Sequence, residues 1–412
     1  MASQLPLCDT VAMVMAGGVG NRLYPLTRDR AKPAVPFGGL YRIIDFTLSN
    51  CLNSGLYRIY LLTQYRSFSL HRHVRQAWGP LFNLTRGEYV DLIPPQQRVV
   101  GDWYRGTADA IFQNIYLLER ERPKHVVILS GDHIYAMDYA HTVRRHVETG
   151  AQLTIACLEV PRPEATRLGV LQVDAAERVI GFEEKPAEPK TVPDDPETSL
   201  ASMGVYVFNT TDLVRILSED ARTDSSHDFG KDIIPTMVGR EMGVFAYRYR
   251  NLRTGARGFW RDIGTLDSYF DANMELLDPA PLYDLHDAGW PVHTWVGAYP
   301  PAKSVHAFEE EGRVGMATES LLSPGCIVSG GRVHRSLLSP RVKINSFSDV
   351  RDSLLFTGVN VGRHARIRRA IVDKHVHVPP GFEIGYHEEE DRRRFTVTES
   401  GIVVVPKGMI LA

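Results

Sequence analysis

The sequence predicts an α/β protein: a doubly wound, mainly parallel sheet comes first, and a parallel β-helix follows it. Three observations carry this prediction. A strand-length apolar run, Val11 to Met15, stops at a loop holding Gly17, Gly18 and Gly20. From there to Tyr65 the pattern reads strand, loop, helix, strand, the first βαβ unit of such a sheet. Beyond Ala302, aliphatic residues recur at six-residue steps between short turns, the mark of stacked β-helix coils.

The glycine loop opens the chain's chemistry. Glycines leave backbone N–H groups uncovered, so successive amides can point at one anion. Arg22 follows at once and Lys32 lies ten residues on, which suits a multiply charged anion such as a triphosphate. No Gly-Lys-Ser/Thr closes the loop, so it is not a P-loop, and taken alone such a turn is as often structural. Ile43, Ile44, Leu48, Cys51 and Leu52 then repeat at helical spacing, and Gly55 stands at the C-cap position. Ile59 to Tyr65 reads as a buried strand.

Leu92 to Gly106 is rich in Pro, Gly and polar residues and reads as a long functional loop. Thr107 is expected to cap a helix with an apolar face of Ala108, Ile111, Phe112, Ile115 and Leu118, closed by Pro123. Val126 to Leu129 is a central strand ending in Ser130, Gly131 and Asp132. A carboxylate at that end of a strand is placed to hold a metal in the crevice, ahead of the alternative of capping a turn. Segments starting at Leu153, Leu168 and Val179 are short and closely spaced, which suggests antiparallel additions. Lys185 ends one of them; by position alone it is a solvated charge. Ser202 to Asn209 is a further strand, and the helix in DFGKDIIPTMV is expected to be cut by Pro235. Asp262 precedes a helix starting near Thr265, where a carboxylate is more often a helix-start residue than a ligand.

Prolines thicken between Asp278 and Ala302, which divides the chain into residues 1–278, a linker over 279–305, and a second domain over 306–412. For the second domain an irregular β-sandwich is the competing reading, since the repeats are imperfect, with an odd stretch around Asn345 to Asp352. The net charge of −2 gives no reason to expect nucleic acid or an anionic membrane as partner. Cys8, Cys51, Cys157 and Cys326 form no paired motif, which argues against disulfides and zinc. MASQLPLCDT has neither a charged n-region nor an apolar h-region, and no run is long enough to span a bilayer. A cytoplasmic protein is expected.

The string MAGGVGNRLYPLT with AKPAVPF, followed by RIIDFTLSN, LTQY, PPQQR, WYRGTADA, GDHIY, EEKP, SSHDFGKDIIP and WRDIGT, resembles the sugar-nucleotide pyrophosphorylase family. The likeness runs through nearly the whole chain and is strongest to its ADP-glucose-forming bacterial branch. It implies a Rossmann-like nucleotidyltransferase domain with a mixed, mainly parallel sheet, then a left-handed parallel β-helix for regulation and oligomerisation. It implies ATP and glucose 1-phosphate as substrates, ADP-glucose and diphosphate as products, and Mg²⁺ as cofactor.

By the same resemblance, Ala16, Gly17, Gly18, Gly20, Arg22, Lys32, Gln96, Tyr104, Gly106 and Thr107 would bind ATP. Tyr104, Gly169, Glu184, Lys185, Ser202 and Asp262 would line the glucose 1-phosphate site. Asp132 and Asp262 would hold the metal, with Arg22, Lys32 and Asp132 as the catalytic set. The family is typically homotetrameric and controlled by phosphorylated or carboxylate metabolites. Arg30, Arg42, Arg393 and Arg394 would be the anion-binding residues, although the run Arg392 to Arg394 also reads as a solvated mixed-charge stretch. Gln64, Gln96 and Trp103 match positions thought to carry the activation signal. Two departures bear on regulation: Asp29 stands where enterobacterial relatives have an activator-binding lysine, and Val19 where an arginine is common. Competing functions are a pyrophosphorylase for another nucleoside triphosphate or sugar phosphate, and a silent regulatory subunit. The charges at Arg22, Lys32, Asp132, Lys185 and Asp262 oppose the second. Acyl transfer by the β-helix lacks a convincing histidine, since His375 and His377 read as turn or surface residues.

Overall fold

A computed structural model describes residues 6–18, 20–95, 103–193, 195–251, 255–308, 310 and 312–412. Gln96 and Val19 fall outside these residues. The chain divides into two compact units that interleave along the sequence. One comprises Met1–Gly17, Phe46–Ser67 and Trp78–Trp260; the other Gly18–Asp45, Phe68–Ala77 and Arg261–Ala412.

The first unit is built on a nine-stranded mixed sheet. Its strands are β1 (Thr10–Ala16), β2 (Arg58–Thr63), β3 (Tyr89–Ile93), β4 (His125–Ser130), β5 (Leu153–Pro161), β6 (Gly169–Val173), β7 (Val179–Glu184), β8 (Thr198–Asn209) and β9 (Val244–Arg248). The order is β7-β6-β8-β4-β1-β2-β3, with β5 bonded to β8 and β9 to β5. The block β4-β1-β2-β3 is parallel. The β6, β7 and β8 pairings are antiparallel, as their short spacing predicts. Val11, Met13, Tyr60, Leu62, Val126 and Ile128 belong to one buried cluster, and the near-continuous apolar runs of these strands follow from coverage on both faces.

Helix α1 spans Ile43–Ser54 and ends at Gly55, whose φ of 81° is the left-handed C-terminal geometry glycine adopts without penalty. The helix expected after Gly106 is two pieces, α2 (Thr107–Phe112) and α3 (Ile115–Glu121). Its N-cap is Gly106, not Thr107: the Thr107 hydroxyl is used elsewhere, donating to Asp228 at 3.0 Å. Pro235 does not cut its helix either. A π turn over Phe229–Ile233 leads into α4 (Ile234–Gly239), and Pro235 sits in the first turn, where a missing N–H costs nothing.

In the second unit α5 (Leu266–Met274) is capped by Thr265, which forms a reciprocal capping box with Ser268. Downstream lies a three-sided parallel β-helix. One side stacks Ile327–Ser329, Lys343–Ile344, Asn360–Val361 and His377–Val378; the second stacks Arg332–His334, Asp349–Arg351 and Arg366–Arg368; the third stacks Leu337–Leu338, Leu354–Leu355 and Ala370–Val372. Parallel pairing throughout these stacks excludes the sandwich. Asn345 to Asp352 does not interrupt the repeat: Asp349–Arg351 pairs in register on both sides. Val333, Ile344, Val350, Val361 and Ile367 point into the coil and are buried. Corners are held by a serine ladder in which Ser320, Ser336 and Ser353 each accept the amide one coil on, at 3.0, 3.1 and 3.2 Å. His375 lies at a corner with φ 61°, and His377 is exposed, as expected of turn and surface residues. The exposed α6 (Glu388–Arg394) follows. Among the described residues no helix is long and apolar enough to cross a membrane.

Candidate active site

The second unit carries the cationic loop. Gly20, at φ 67°, starts a 3₁₀ turn over Asn21–Leu23, and the Thr27 hydroxyl donates to its carbonyl at 2.9 Å. A Cβ on Gly20 would lie 3.0 Å from Thr27 Cγ2, so position and conformation both call for glycine. Lys32 is 7 % exposed and its Nζ stands 3.4 Å from Asp262 Oδ1. Asp262 ends the short strand Trp260–Asp262, and because Thr265 caps α5 its carboxylate is not the helix cap. A Cβ on Gly264 would fall 3.2 Å from an Arg22 guanidinium nitrogen and 3.2 Å from an Asp262 oxygen. Lys32 pairs with this carboxylate, and the Arg22 guanidinium and an Asp262 oxygen both border the space that Gly264 leaves open. Nothing in periodicity marks Gly264; only the WRDIGT string contains it.

The first unit carries the remaining candidates. Ala16 is buried at the end of β1. Gly17 follows, and a Cβ there would fall 2.9 Å from Gln64 Cβ. Trp103 stacks on Tyr65 with centroids 4.7 Å apart. Asp132 stands just past β4, with Ser130 Oγ donating to Oδ1 at 2.5 Å and His133 Nε2 at 3.6 Å. The Tyr104 hydroxyl accepts from Asn114 at 3.1 Å, and burial raises its pKa. Gly106 passes so close to the Ser226 and His227 carbonyls that a Cβ would overlap both. Ala108 N–H donates to His227 O at 2.9 Å, so the WYRGTADA loop is clamped to the SSHDFGKD loop.

Glu184 and Lys185 end β7. Lys185 takes φ 51° and its amide donates to Leu168 O, which turns the side chain out of the strand. Its Nζ lies 2.9 Å from Glu184 Oε1 with the lysine 60 % exposed. Glu184 Oε2 occupies space that side chains on Gly169 or Gly230 would fill, at 3.0 and 2.6 Å from their hypothetical Cβ atoms. Ser202 sits where the β8–β5 register slips, and its hydroxyl accepts from Gly204 N–H at 3.3 Å. Burial, with Glu184 and Asp228 nearby, pushes the Tyr206 phenol up to about 12. Asp228 accepts from Gly230 and Lys231 amides as well as from Thr107. Gly230 and Tyr206 matter through meeting Glu184, and Asp228 through its bonds to Thr107 and the Gly230 amide, which no local pattern marks.

Two groups of basic residues differ sharply. In the second unit Arg30, 4 % exposed, makes two 3.0 Å bonds to the buried Asp373 carboxylate. Arg42 donates to Ser69 at 2.9 and 3.0 Å, and burial together with Arg30 and Arg72 brings its guanidinium down to about 10. Lys374, which the sequence did not flag, is brought down to about 7 by burial and by Arg42 and Arg30. Asp29 pairs with Arg28 at 3.0 Å. By contrast, Arg393 and Arg394 lie on α6 and pair with Glu389 and Glu390 one turn back.

For a divalent cation the donor chemistry of each unit fits: Asp132 in the first and Asp262 in the second are hard oxygen donors. That suits an ion that keeps its waters and takes further oxygens from phosphates.

Comparison with known proteins shows the family. Residues 11–279 match the family model Nucleotidyl transferase, and residues 300–405 match GlmU-like, C-terminal hexapeptide, whose parallel coils are consistent with a left-handed β-helix. Fold and site thus define a nucleotidyltransferase enzyme. A glucose-1-phosphate adenylyltransferase of Koribacter versatilis is 50 % identical over 97 % of this chain and 96 % of its own length. Glucose-1-phosphate adenylyltransferase 2 of Vibrio cholerae is 50 % identical over 97 % and 98 %, and the Anaeromyxobacter enzyme of that name 50 % over 98 % and 99 %. The chain belongs to the glucose-1-phosphate adenylyltransferase family.

Proposed function

We propose that this enzyme joins ATP and α-D-glucose 1-phosphate to give ADP-glucose and diphosphate, feeding glycogen-type glucan synthesis in the cytoplasm. The observation that carries the reading is the pairing of buried Lys32 with Asp262, 230 residues away, with the Arg22 guanidinium bordering the same gap at Gly264. A sugar phosphate oxygen attacks the ATP α-phosphorus; the bond from that phosphorus to the bridging oxygen breaks, and diphosphate leaves. The nucleophile is already an anion, so no general base is required. Repulsion between the two phosphates is the obstacle, and preset cations oppose it without reorganising. In this reading the loop from Gly17 to Gly20 with Arg22 and Lys32 holds the triphosphate, and Tyr104, Gly106 and Thr107 face the adenosine. Lys185 grips the sugar phosphate, while Gly169, Glu184 and Ser202 meet the glucose hydroxyls. Asp132 and Asp262 would hold Mg²⁺, which supplies charge neutralisation when bound.

Regulation forms part of the same reading. Arg30, Arg42 and Lys374 crowd positive charge beside the carboxylates of Asp373 and Asp45, and a phosphorylated or carboxylate metabolite acting on a homotetramer would complete that balance. Arg393 and Arg394 are already served by their own helix. Product analysis with each triphosphate tests the core proposal. ADP-glucose formation with ATP is expected to exceed turnover with UTP or dTTP; faster turnover with either would overturn it.

A further inference from the structure

The RIIDFTLSN motif has no place in the chemistry above, yet three polar residues on one face of α1 are buried: Thr47, Asn50 and Ser54, 0, 1 and 7 % exposed. Their spacing of three and four residues aligns them along the helix. Aliphatic side chains would bury as well against a sheet, and an unmatched polar group there costs about 1–3 kcal/mol. All three bond to the main chain of one segment, in order. Thr47 Oγ1 donates to Ser130 O at 3.1 Å. Asn50 Nδ2 donates to Tyr135 O at 3.0 Å, and its Oδ1 accepts from Met137 N–H at 3.2 Å. Ser54 Oγ accepts from Tyr139 N–H at 2.8 Å. Gly131 N–H reaches Met15 O at 2.9 Å from the other side. Asp132 lies between the Thr47 and Asn50 attachments.

We infer that Thr47 and Asn50 are positioning residues that fix the backbone on both sides of Asp132 and so set its carboxylate for the metal. The inference rests on the metal role of Asp132 proposed above. The bonds above go to carbonyls and amides, so they hold the main chain of the turn directly, beside the further contacts of Thr47 with Tyr135 and Asn50 with Tyr139. Ser54 holds the same segment further downstream, past the turn, and serves as the internal control.

The test is Mn²⁺ titration of the full chain with ATP present and glucose 1-phosphate omitted, read by water-proton relaxation. Amide hydrogen exchange over residues 130–137 is followed in parallel. Thr47→Val is expected to weaken Mn²⁺ about tenfold, the low end of what removing a group behind a ligand costs, and to speed exchange in that segment but not in β1. Thr47→Ser restores both, Ser54→Ala changes stability without changing Mn²⁺ affinity, and the KM for glucose 1-phosphate stays unchanged in all three. Equal weakening by Thr47→Val and Ser54→Ala would show a merely structural helix face and overturn the inference. So would normal Mn²⁺ binding in Thr47→Val when Asp132→Asn abolishes it, which leaves the metal role standing. Normal binding in Asp132→Asn would remove the metal role and the inference together.

Discussion

Two lysine–carboxylate pairs, one in each unit, are built in opposite ways. Lys32 and Asp262 come from distant parts of the chain, sit 3.4 Å apart, and leave only 9 % of the lysine side chain exposed. Lys185 and Glu184 are neighbours in sequence, 2.9 Å apart, with the lysine 60 % exposed. The shorter bond is the weaker constraint. An exposed pair contributes about 0–1 kcal/mol and is easily exchanged for another partner. A desolvated cation is held in place by everything around it and acts at full strength on whatever anion arrives. Under the proposed function, Lys32 is the fixed charge for the triphosphate and Lys185 the movable charge for the incoming sugar phosphate.

Substitution at the fixed charge should have the largest effect. Lys32→Ala is expected to lower kcat/KM by about 10³-fold, the loss seen when one preset electrostatic partner is removed. It should also cost about 1–2 kcal/mol of stability, less than a fully buried pair because Asp262 keeps 31 % of its side chain exposed. Steady-state kinetics with a urea titration measures both, and a catalytic loss below tenfold would erase the distinction. At the movable charge, Lys185→Gln should raise the KM for glucose 1-phosphate about 10²-fold while leaving the KM for ATP and the melting temperature nearly unchanged. Equal effects on the two substrates would show that it is not specific to the sugar phosphate.

Lys374 sharpens the contrast with a smaller effect, since its charge is conditional. Burial, Arg42 and Arg30 bring its pKa to about 7, below the ordinary lysine value. The unfolded chain therefore holds the extra proton between about pH 7 and 10.4, so unliganded stability rises with pH across that window. A bound anion favours the protonated lysine. Sulfate, which does not titrate here, should stabilise the protein more at pH 6.5 than at pH 8.5, by a few degrees in melting temperature, and Lys374→Met should abolish the difference. An unchanged sulfate effect across this range would remove Lys374 from the anion site.

The sequence was most readable where structure is local. The strands Val11–Met15 and Val126–Leu129 are continuous apolar runs, and the glycine loop, the helix ending at Gly55 and the six-residue coil repeat all follow from short-range pattern. Arg392 to Arg394 could be matched to their glutamates by counting four residues. What it did not yield depends on meetings between distant residues. Gly264 matters because Arg22 and Asp262 crowd it, Gly230 because Glu184 occupies its missing side chain, and Asp373 because Arg30 finds it across 343 residues. Thr107 misled for the same reason: its residue type is that of an N-cap, but Asp228 claims its hydroxyl. Pro235 reads as a breaker because the π turn before it, which makes it a first-turn residue, has no local signature.

The buried bond between Arg30 and Asp373 limits how this protein can be taken apart. The proline-rich stretch after Asp278 reads as a seam for cutting a catalytic half free or grafting on a foreign β-helix. Residues 18–45, however, fold with the C-terminal part of the chain, and a fragment ending at the seam would strand a guanidinium that is 4 % exposed without its only carboxylate partner among the described contacts. Swapping β-helices between relatives would therefore succeed only as a paired exchange, with the Arg30 segment travelling alongside the coil that carries Asp373. In this architecture the unit of modular inheritance is a pair of segments, not a stretch of chain.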